Sequence, residues 1–245
     1  MNRRNFINLS LLSSAASFLP LSTFNLLQQE IPTEELLGKG SPQLYGNGYQ
    51  LRKEAYEAFL KMQKAAAKDD IFIQIVSSYR SFDHQKRIWN RKFKRFTQQG
   101  LSSTAAINKI IEYSTIPGTS RHHWGTDIDI IDSKPKAPTS LLQPENYYGN
   151  GVYLPLSEWM KKNAKDYGFE IVYTNDKNRK GFKHEPWHFS YAPLSKIYLC
   201  EYRKLELKKL LENSSEILGH EKFSDSFIQK YIYENVLAIN SRLLT

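Results

Sequence analysis

The chain has 245 residues, of which 40% are hydrophobic and 24% charged, so it can bury a core and does not have the composition of a disordered polymer. Its net charge of +9 suits an anionic surface, but no nucleic-acid-binding motif accompanies the charge, and we predict no nucleic-acid partner. Cys200 is the one cysteine, which excludes an intrachain disulfide and a thiolate-rich zinc site.

The N-terminal segment has the layout of an export signal. The sequence MNRRNFINLSLLSSAASFLPLSTF has a basic start, an apolar middle and small residues near Ala15, and RRNFI resembles the twin-arginine form. Serines and Pro20 interrupt the apolar stretch, which is shorter than the roughly 20 residues that a membrane-spanning helix needs. We predict an export segment over residues 1–27, a periplasmic or cell-envelope location and no membrane span in the mature chain. A membrane-anchoring or buried helix is the alternative.

The following segment changes from polar loop to regular structure. Residues 28–50 are polar and rich in glycine, which predicts a linker. Apolar residues then recur at helical spacing over residues 51–69, and the β-branched run at Ile71–Ser78 predicts a buried strand. An amphipathic helix follows, for which Ser81 or Asp83 can serve as the N-terminal cap.

The middle of the chain predicts two further helices separated by a strand and a loop. One helix is expected at Ser103–Ser114, and the run TDIDII predicts a strand after the glycine-marked loop. Residues 133–152 contain three prolines and predict an insertion loop. The segment LSEWMKKNAKDYGF predicts a helix that Ser157 caps and that ends before Gly168.

The last two predicted strands define the fold class. FEIVY and FKHEPWHFSY are joined by a turn-rich segment and predict a hairpin, and a helical tail follows. Because helices separate the strands irregularly, we predict an α+β fold with a small antiparallel sheet flanked by helices. The core domain is expected over residues 51–192, with a helical C-terminal extension over residues 193–245.

The sequence HEPWH at His184–His188 matches H-E-x-x-H, the zinc-binding motif of helical metalloproteases. Pro186 inside the match would remove a helix hydrogen bond and cost roughly 3 kcal/mol or more, so we reject a helical site here. In an extended segment, Glu185 and His188 point to opposite sides. They can serve one site only if the chain kinks near Pro186.

The strand TDIDII places two carboxylates on one face. Asp127 and Asp129 share that face, whereas Ile128 and Ile130 point to the other and are expected in the core. A histidine of the preceding loop can converge with an aspartate of the strand. Zinc binds imidazole nitrogen and carboxylate oxygen, and a catalytic zinc uses three protein ligands and one open position. Two residues from here and one histidine of EPWH would complete such a site.

Three motifs in this order carry a family resemblance. SRHHWGTDID resembles the S-x-H-x-x-G-x-A-x-D motif of the zinc D-alanyl-D-alanine carboxypeptidases and dipeptidases of peptidoglycan metabolism, the VanY-like enzymes of the hedgehog/DD-peptidase fold. EPWHFSY resembles their second motif, and SSYRSFDHQ is similar to their S-G-Y-R-S…Q segment. The motifs cover residues 50–192, and together they are specific.

The resemblance implies a role for each matched residue. It implies three ligands of one zinc ion, namely His122, Asp129 and His188. It also implies that Glu185 is the catalytic base, that Arg80 is catalytic or binds substrate, and that Ser120 lies near the substrate.

The chain departs from the family pattern at three positions. Asp127 replaces the family's alanine, His123 is an additional histidine, and Ser78 replaces the first glycine of S-G-Y-R. We expect His123 and His184 to be structural or to support a ligand, and Gln85 to be a helix-start residue.

We therefore expect an exported, monomeric zinc D-alanyl-D-alanine carboxypeptidase that acts on peptidoglycan or muropeptides. An LD-carboxypeptidase, a dipeptidase or an endopeptidase of the same family is the alternative within the enzymes. A catalytically silent wall-binding module is the alternative outside them. The sequence leaves the choice of cleaved bond open.

Overall fold

A computed structural model describes residues 30–212 and 214–244. The predicted export segment at residues 1–27 lies outside the described residues. Within the described ranges, no helix has both the length and the apolar character that crossing a membrane requires.

The regular elements follow one another as predicted for an α+β protein. The strands are β1 (Ile73–Ser77), β2 (Asp127–Asp132), β3 (Phe169–Ile171) and β4 (His188–Tyr191). The helices are α1 (Thr33–Leu36), α2 (Lys53–Lys68), α3 (Phe82–Gln98), α4 (Ser103–Ile110), α5 (Leu154–Asn163), α6 (Ala192–Tyr202), α7 (Leu207–Glu212) and α8 (Asp225–Tyr231).

The strands form one antiparallel sheet in the order β1-β2-β4-β3. This sheet confirms the predicted fold class, and β3 and β4 are neighbours as the predicted hairpin requires. The register pairs Asp129 with His188 and Asp127 with Ser190 across the two central strands. Because paired residues in an antiparallel sheet point to the same face, these four side chains lie on one side of the sheet.

Apolar side chains form two buried cores. Ile128 and Ile130 of β2 are buried together with the apolar faces of α2 and α5, as strand alternation predicted. A second core joins α3, α4, α6, α7 and α8, and it includes Leu36 and Leu37. The described part of the segment predicted as a linker therefore packs against the domain, and this second core contains residues from both sides of the proposed boundary at residue 192.

Several predicted boundaries were wrong, and helix α4, for example, ends at Ile110 and not at Ser114. Helix α5 begins at Leu154, and Ser157 lies inside it, donating its backbone N–H to the Tyr153 carbonyl at 3.0 Å. Pro155 explains the earlier start, because its fixed φ suits the first turn of a helix. The last strand contains only the final four residues of FKHEPWHFSY, since the chain forms a turn before it.

Candidate metal centre and catalytic pocket

Three buried side chains from different elements converge in front of the sheet. His122 lies in the 3-10 turn Arg121–Trp124, Asp129 lies on β2 and His188 begins β4. One donor atom from each lies within 4.8 Å of the other two. The structure therefore brings together the three residues that the resemblance implies as ligands.

Local geometry explains how a turn residue reaches the strand. Gly125 ends the 3-10 turn in the left-handed region at φ +68°, and a side chain there would lie 2.9 Å from Leu44 Cδ2. The chain can thus reverse directly into β2, which leaves His122 above Asp129. The distance between His122 Nε2 and Asp129 Oδ2 is 3.4 Å.

Hydrogen bonding orients the donor atoms of this group. The Nδ1 atom of His122 lies 2.8 Å from the Ser78 carbonyl oxygen, which can only accept a hydrogen bond. A proton therefore lies on Nδ1, which leaves Nε2, beside Asp129, as the nitrogen that can bind a metal. Among the described residues, Asp129 Oδ1 has no hydrogen-bond partner although it is buried. Two imidazole nitrogens and a carboxylate that has an unsatisfied oxygen fit a zinc ion.

The charge of Asp129 is stabilised by its neighbours. Burial alone would raise the pKa of this carboxyl, but His122, His188 and Arg80 hold it at about 2. The carboxylate is therefore ionised at neutral pH, which metal coordination requires.

Glu185 reaches the same site through a turn. The His188 backbone N–H donates to the Glu185 carbonyl at 3.1 Å, and Pro186 and Trp187 form the bend between them. The Glu185 Oε2 atom lies 2.9 Å from His188 Nδ1. This is the kink that the sequence requires if both side chains are to serve one site. Burial raises the pKa of the Glu185 carboxyl above its ordinary value, although the hydrogen bond with His188 opposes the shift.

Arg80 is fixed beside the cluster by hydrogen bonds. Its Nη1 donates to Gln85 Oε1 at 2.7 Å, and its Nη2 donates to Ser77 Oγ at 2.9 Å. The Nη2 atom lies 4.0 Å from Asp129 Oδ2. Gln85 is fully buried and also donates to the Thr115 carbonyl at 2.7 Å, so it anchors Arg80 to the opposite wall. The helix-start interpretation missed this role, which its place in the SSYRSFDHQ motif could have indicated.

A cavity of about 420 Å³ opens onto these groups. Its lining includes Arg80, Lys92, Ser120, Asp129 and Glu185. Ser120 is buried in this wall, in agreement with its expected place near substrate. In residues 30–212 and 214–244, Lys92 has no ion-pair or hydrogen-bond partner. Burial, Arg80 and Arg95 lower its pKa.

The two additional histidines have partners outside the metal group. His123 Nδ1 donates to the Arg80 carbonyl at 2.5 Å, and its Nε2 accepts from the Gly118 backbone N–H at 3.1 Å. Burial lowers the pKa of His123 to about 3, so the ring is neutral. His184 Nδ1 donates to the Tyr173 carbonyl at 2.6 Å. Both rings therefore have the structural surroundings expected for them.

Asp127, the residue at the family's alanine position, is paired with a cation that sequence reasoning did not select. Arg121 Nε donates to Asp127 Oδ2 at 2.9 Å, and both side chains are buried. The Arg121 guanidinium also lies over the Trp124 ring, 4.7 Å from its centroid. Although burial opposes the shift, Arg121 and His188 hold the pKa of Asp127 well below its ordinary value.

Comparisons with known proteins agree with this geometry. The family model described as VanY, D-alanyl-D-alanine carboxypeptidase, matches residues 48–194, which is more than half of the chain. A D-alanyl-D-alanine carboxypeptidase of Enterococcus faecalis is 29% identical over 152 residues, which cover 59% of this chain and 52% of the relative. The chain spans between 52% and 64% of the length of three curated relatives that it matches.

Two solved structures share the fold. VanYB in complex with D-alanine-D-alanine has a TM-score of 0.52 at 21% identity, and the match covers 77% of this chain and 95% of that one. A mutant of the vancomycin-resistance D,D-pentapeptidase VanY in complex with Zn(II) also has a TM-score of 0.52, at 22% identity. That match covers 75% of this chain and 94% of the other.

Proposed function

The chain belongs to the VanY family of D-alanyl-D-alanine carboxypeptidases, and on this premise we propose that it is a zinc-dependent carboxypeptidase that removes the terminal D-alanine of peptidoglycan stem peptides. The observation that carries the proposal is the buried group of His122, Asp129 and His188 with Glu185 beside it. The zinc-bound VanY neighbour and the neighbour holding D-alanine-D-alanine support the metal and the substrate class.

The ligands of one zinc ion would be His122 Nε2, an Asp129 oxygen and His188 Nδ1. When bound, zinc supplies a Lewis acid that makes water nucleophilic near neutral pH and polarises a carbonyl group. The unsatisfied Oδ1 atom of Asp129 supports this assignment, because a buried oxygen without a donor is costly unless a cation approaches it.

Glu185 would act first as general base and then as general acid. Its carboxylate takes the proton of the attacking water and returns it to the nitrogen of the departing D-alanine. The cost of burying its charge raises its pKa, which makes the protonated form a stronger candidate for the general acid than an exposed glutamate would be. The turn at Pro186 supports this role, since it brings the carboxylate to the side of the sheet that bears Asp129.

Cationic groups of the cavity would bind the substrate's charges. Arg80 is held rigidly by Gln85 and Ser77, so it can stabilise the negative charge that develops on the scissile carbonyl oxygen without reorganising. Lys92 lacks a counter-ion among the described residues and lines the same cavity, which suits the terminal carboxylate of a carboxypeptidase substrate. Ser120 would contact the substrate from the wall that carries His122.

Location and organisation follow from the substrate. A peptidoglycan substrate requires an extracytoplasmic enzyme, in keeping with an export signal at residues 1–27 and a periplasmic or cell-envelope location. We propose a peptidase domain over residues 51–192 that works as a monomer, with residues 193–245 as an extension packed on it.

Muropeptide digestion tests the proposal. Purified protein is incubated with pentapeptide, tetrapeptide and cross-linked muropeptides, with and without chelator, and the products are identified by mass. Loss of one D-alanine from the pentapeptide, abolished by chelator and by Glu185→Gln, is the expected result. Glu170→Gln is the matched control, since Glu170 lies on edge strand β3 and pairs with Arg242 at 3.4 Å, outside the cavity.

The same digestion separates the alternatives. Shortening of the tetrapeptide alone would indicate an LD-carboxypeptidase, release of a dipeptide a dipeptidase, and cutting of cross-linked dimers an endopeptidase. Binding to cell walls without chelator-sensitive cleavage would refute the enzymatic proposal and favour a wall-binding module.

A further inference from the structure

His188 is held between two carboxylates that lie on different sides of its ring. Its Nδ1 atom faces the metal group, 3.9 Å from Asp129 Oδ1 and 2.9 Å from Glu185 Oε2. Its Nε2 atom faces away from that group and lies 3.0 Å from Asp127 Oδ2. Asp127 is therefore too far around the ring to share a metal with Nδ1, and it is not part of the group of convergent donor atoms.

The hydrogen bond with Asp127 determines which nitrogen of His188 carries a proton. An ionised carboxylate can only accept hydrogen bonds, so the contact of Asp127 Oδ2 with His188 requires the proton on Nε2. Nδ1, which lies 2.9 Å from Glu185 Oε2, is then the nitrogen that would bind the metal. The Ser78 carbonyl has the equivalent effect on His122, where it fixes the proton on Nδ1 and frees Nε2.

The surroundings of Asp127 keep it ionised and immobile. Its Oδ1 accepts from Thr126 Oγ1 at 2.7 Å and from Ser190 Oγ at 2.6 Å, while Oδ2 accepts from Arg121 Nε at 2.9 Å. Together with His188, four donors therefore surround a carboxylate that has no solvent exposure. Arg121 also donates to Ser190 Oγ at 2.8 Å, which ties the turn before β2 to β4.

A purely structural ion pair would not need this arrangement. Arg121 donates through Nε to Asp127 and through Nη2 to Ser190. Its Nη1 is buried without a hydrogen-bond partner among the described residues. Burying two charges and leaving a donor unsatisfied is costly compared with the alanine that the family motif has here. An alanine at this position could not make the contact between Asp127 Oδ2 and His188 Nε2.

We infer that Asp127 is a positioning residue that fixes the tautomer and orientation of His188 and thereby raises the affinity of the site for zinc. The inference rests on the proposed zinc site. Groups that accept the outer N–H of a ligating histidine make the imidazole a better donor, and their loss weakens metal binding about 10- to 100-fold. In this chain the acceptor comes from the motif position at which the family has an alanine.

Zinc affinity of the full chain, measured by competition with a chromogenic chelator, tests the inference. Asp127→Asn removes the charge and keeps the shape, and we expect its zinc dissociation constant to rise about 10- to 100-fold. Asp132→Asn is the matched control on the same strand, because Asp132 is also buried but accepts from the Phe72 and Lys134 backbone N–H groups and not from a histidine. Its zinc affinity should stay within twofold of that of the wild type.

Two spectroscopic measurements separate positioning from stability. The visible absorption bands of the Co(II)-loaded protein should change in Asp127→Asn and not in Asp132→Asn. If Asp127→Asn does not fold, ring NMR of the zinc-loaded wild-type protein decides, and the proton of His188 is expected on Nε2.

The outcomes are distinguishable. Unchanged zinc affinity and Co(II) bands in Asp127→Asn would overturn the inference and leave the proposed function intact, whereas a proton on His188 Nδ1 would also remove that atom from the proposed zinc ligands. A wild-type protein that binds no zinc would overturn both.

Discussion

Replacing Gly38 by alanine should destabilise the fold through the buried ring of His123. Gly38 has φ +74°, and a Cβ there would overlap the imidazole, 2.6 Å from its Cγ atom. The ring cannot turn aside freely, because the Arg80 carbonyl binds its Nδ1 and the Gly118 backbone N–H binds its Nε2. The Gly38 carbonyl itself accepts from the Phe82 N–H at 2.7 Å, which limits how far the backbone at Gly38 can move away from the ring.

The expected cost has two parts. An alanine in the left-handed region costs about 1–2 kcal/mol. Displacing the His123 ring breaks a buried hydrogen bond and leaves its partner unsatisfied, which costs about 1–3 kcal/mol more. We therefore expect Gly38→Ala to lower the free energy of unfolding by about 2–5 kcal/mol, a large part of the 5–15 kcal/mol of a typical domain.

Gly48 offers a matched control for the backbone part alone. It has φ +77°, and a Cβ there would meet no atom within 4 Å. Urea denaturation of both variants, followed by circular dichroism at pH 7, should give Gly38→Ala the larger loss by about 1–3 kcal/mol with an unchanged slope. Equal losses in the two variants would show that the His123 ring can move aside at no cost in free energy. The assumption that its hydrogen bonds hold the ring rigidly would then be wrong.

Three further predictions concern charge and metal. Because the pKa of His123 is about 3 in the folded state and near 6.5 when unfolded, the unfolded state binds more protons between these values, and stability falls as pH falls. Relative to His123→Gln, the wild type should lose about 2 kcal/mol of unfolding free energy between pH 7 and pH 5, and a constant difference would contradict a neutral buried ring. Lys92→Met should raise the KM for peptides with a free terminal carboxylate about tenfold with little change in kcat, and an equal rise for amidated peptides would contradict carboxylate binding. Dialysis against chelator should lower the melting temperature, zinc should restore it, and a melting temperature indifferent to both would argue against a metal site.

Periodicity and motif spacing were sufficient to predict which way the site residues of strand β2 point. Alternation alone separated Asp127 and Asp129 from Ile128 and Ile130, and the structure confirms both faces. The convergence of His122 with Asp129 and His188 agrees with the family spacing, although ligation itself stays a prediction.

Other parts depended on contacts that a single sequence does not encode locally. Arg121 looks like an ordinary loop arginine, and its pairing with Asp127 exists only because the turn before β2 folds back over Trp124. Gln85 satisfies helix-start patterning, yet its side chain joins Arg80 to Thr115 across a gap that only the tertiary fold closes. The sequence showed only that Glu185 and His188 can share a site if the chain kinks near Pro186, and the turn observed there meets that condition.

The strand order makes some parts of the site more rigid than others. Asp129 and His188 lie on the two central strands, so separating either from the sheet breaks ladders on both sides. Glu185 lies in the turn before β4, where local opening breaks fewer bonds. Fluctuations of that turn can therefore adjust the Glu185 carboxylate while Asp129 and His188 stay fixed in the sheet. In such a sheet, movement of the proposed proton-transferring group and retention of a bound ion would be separable properties.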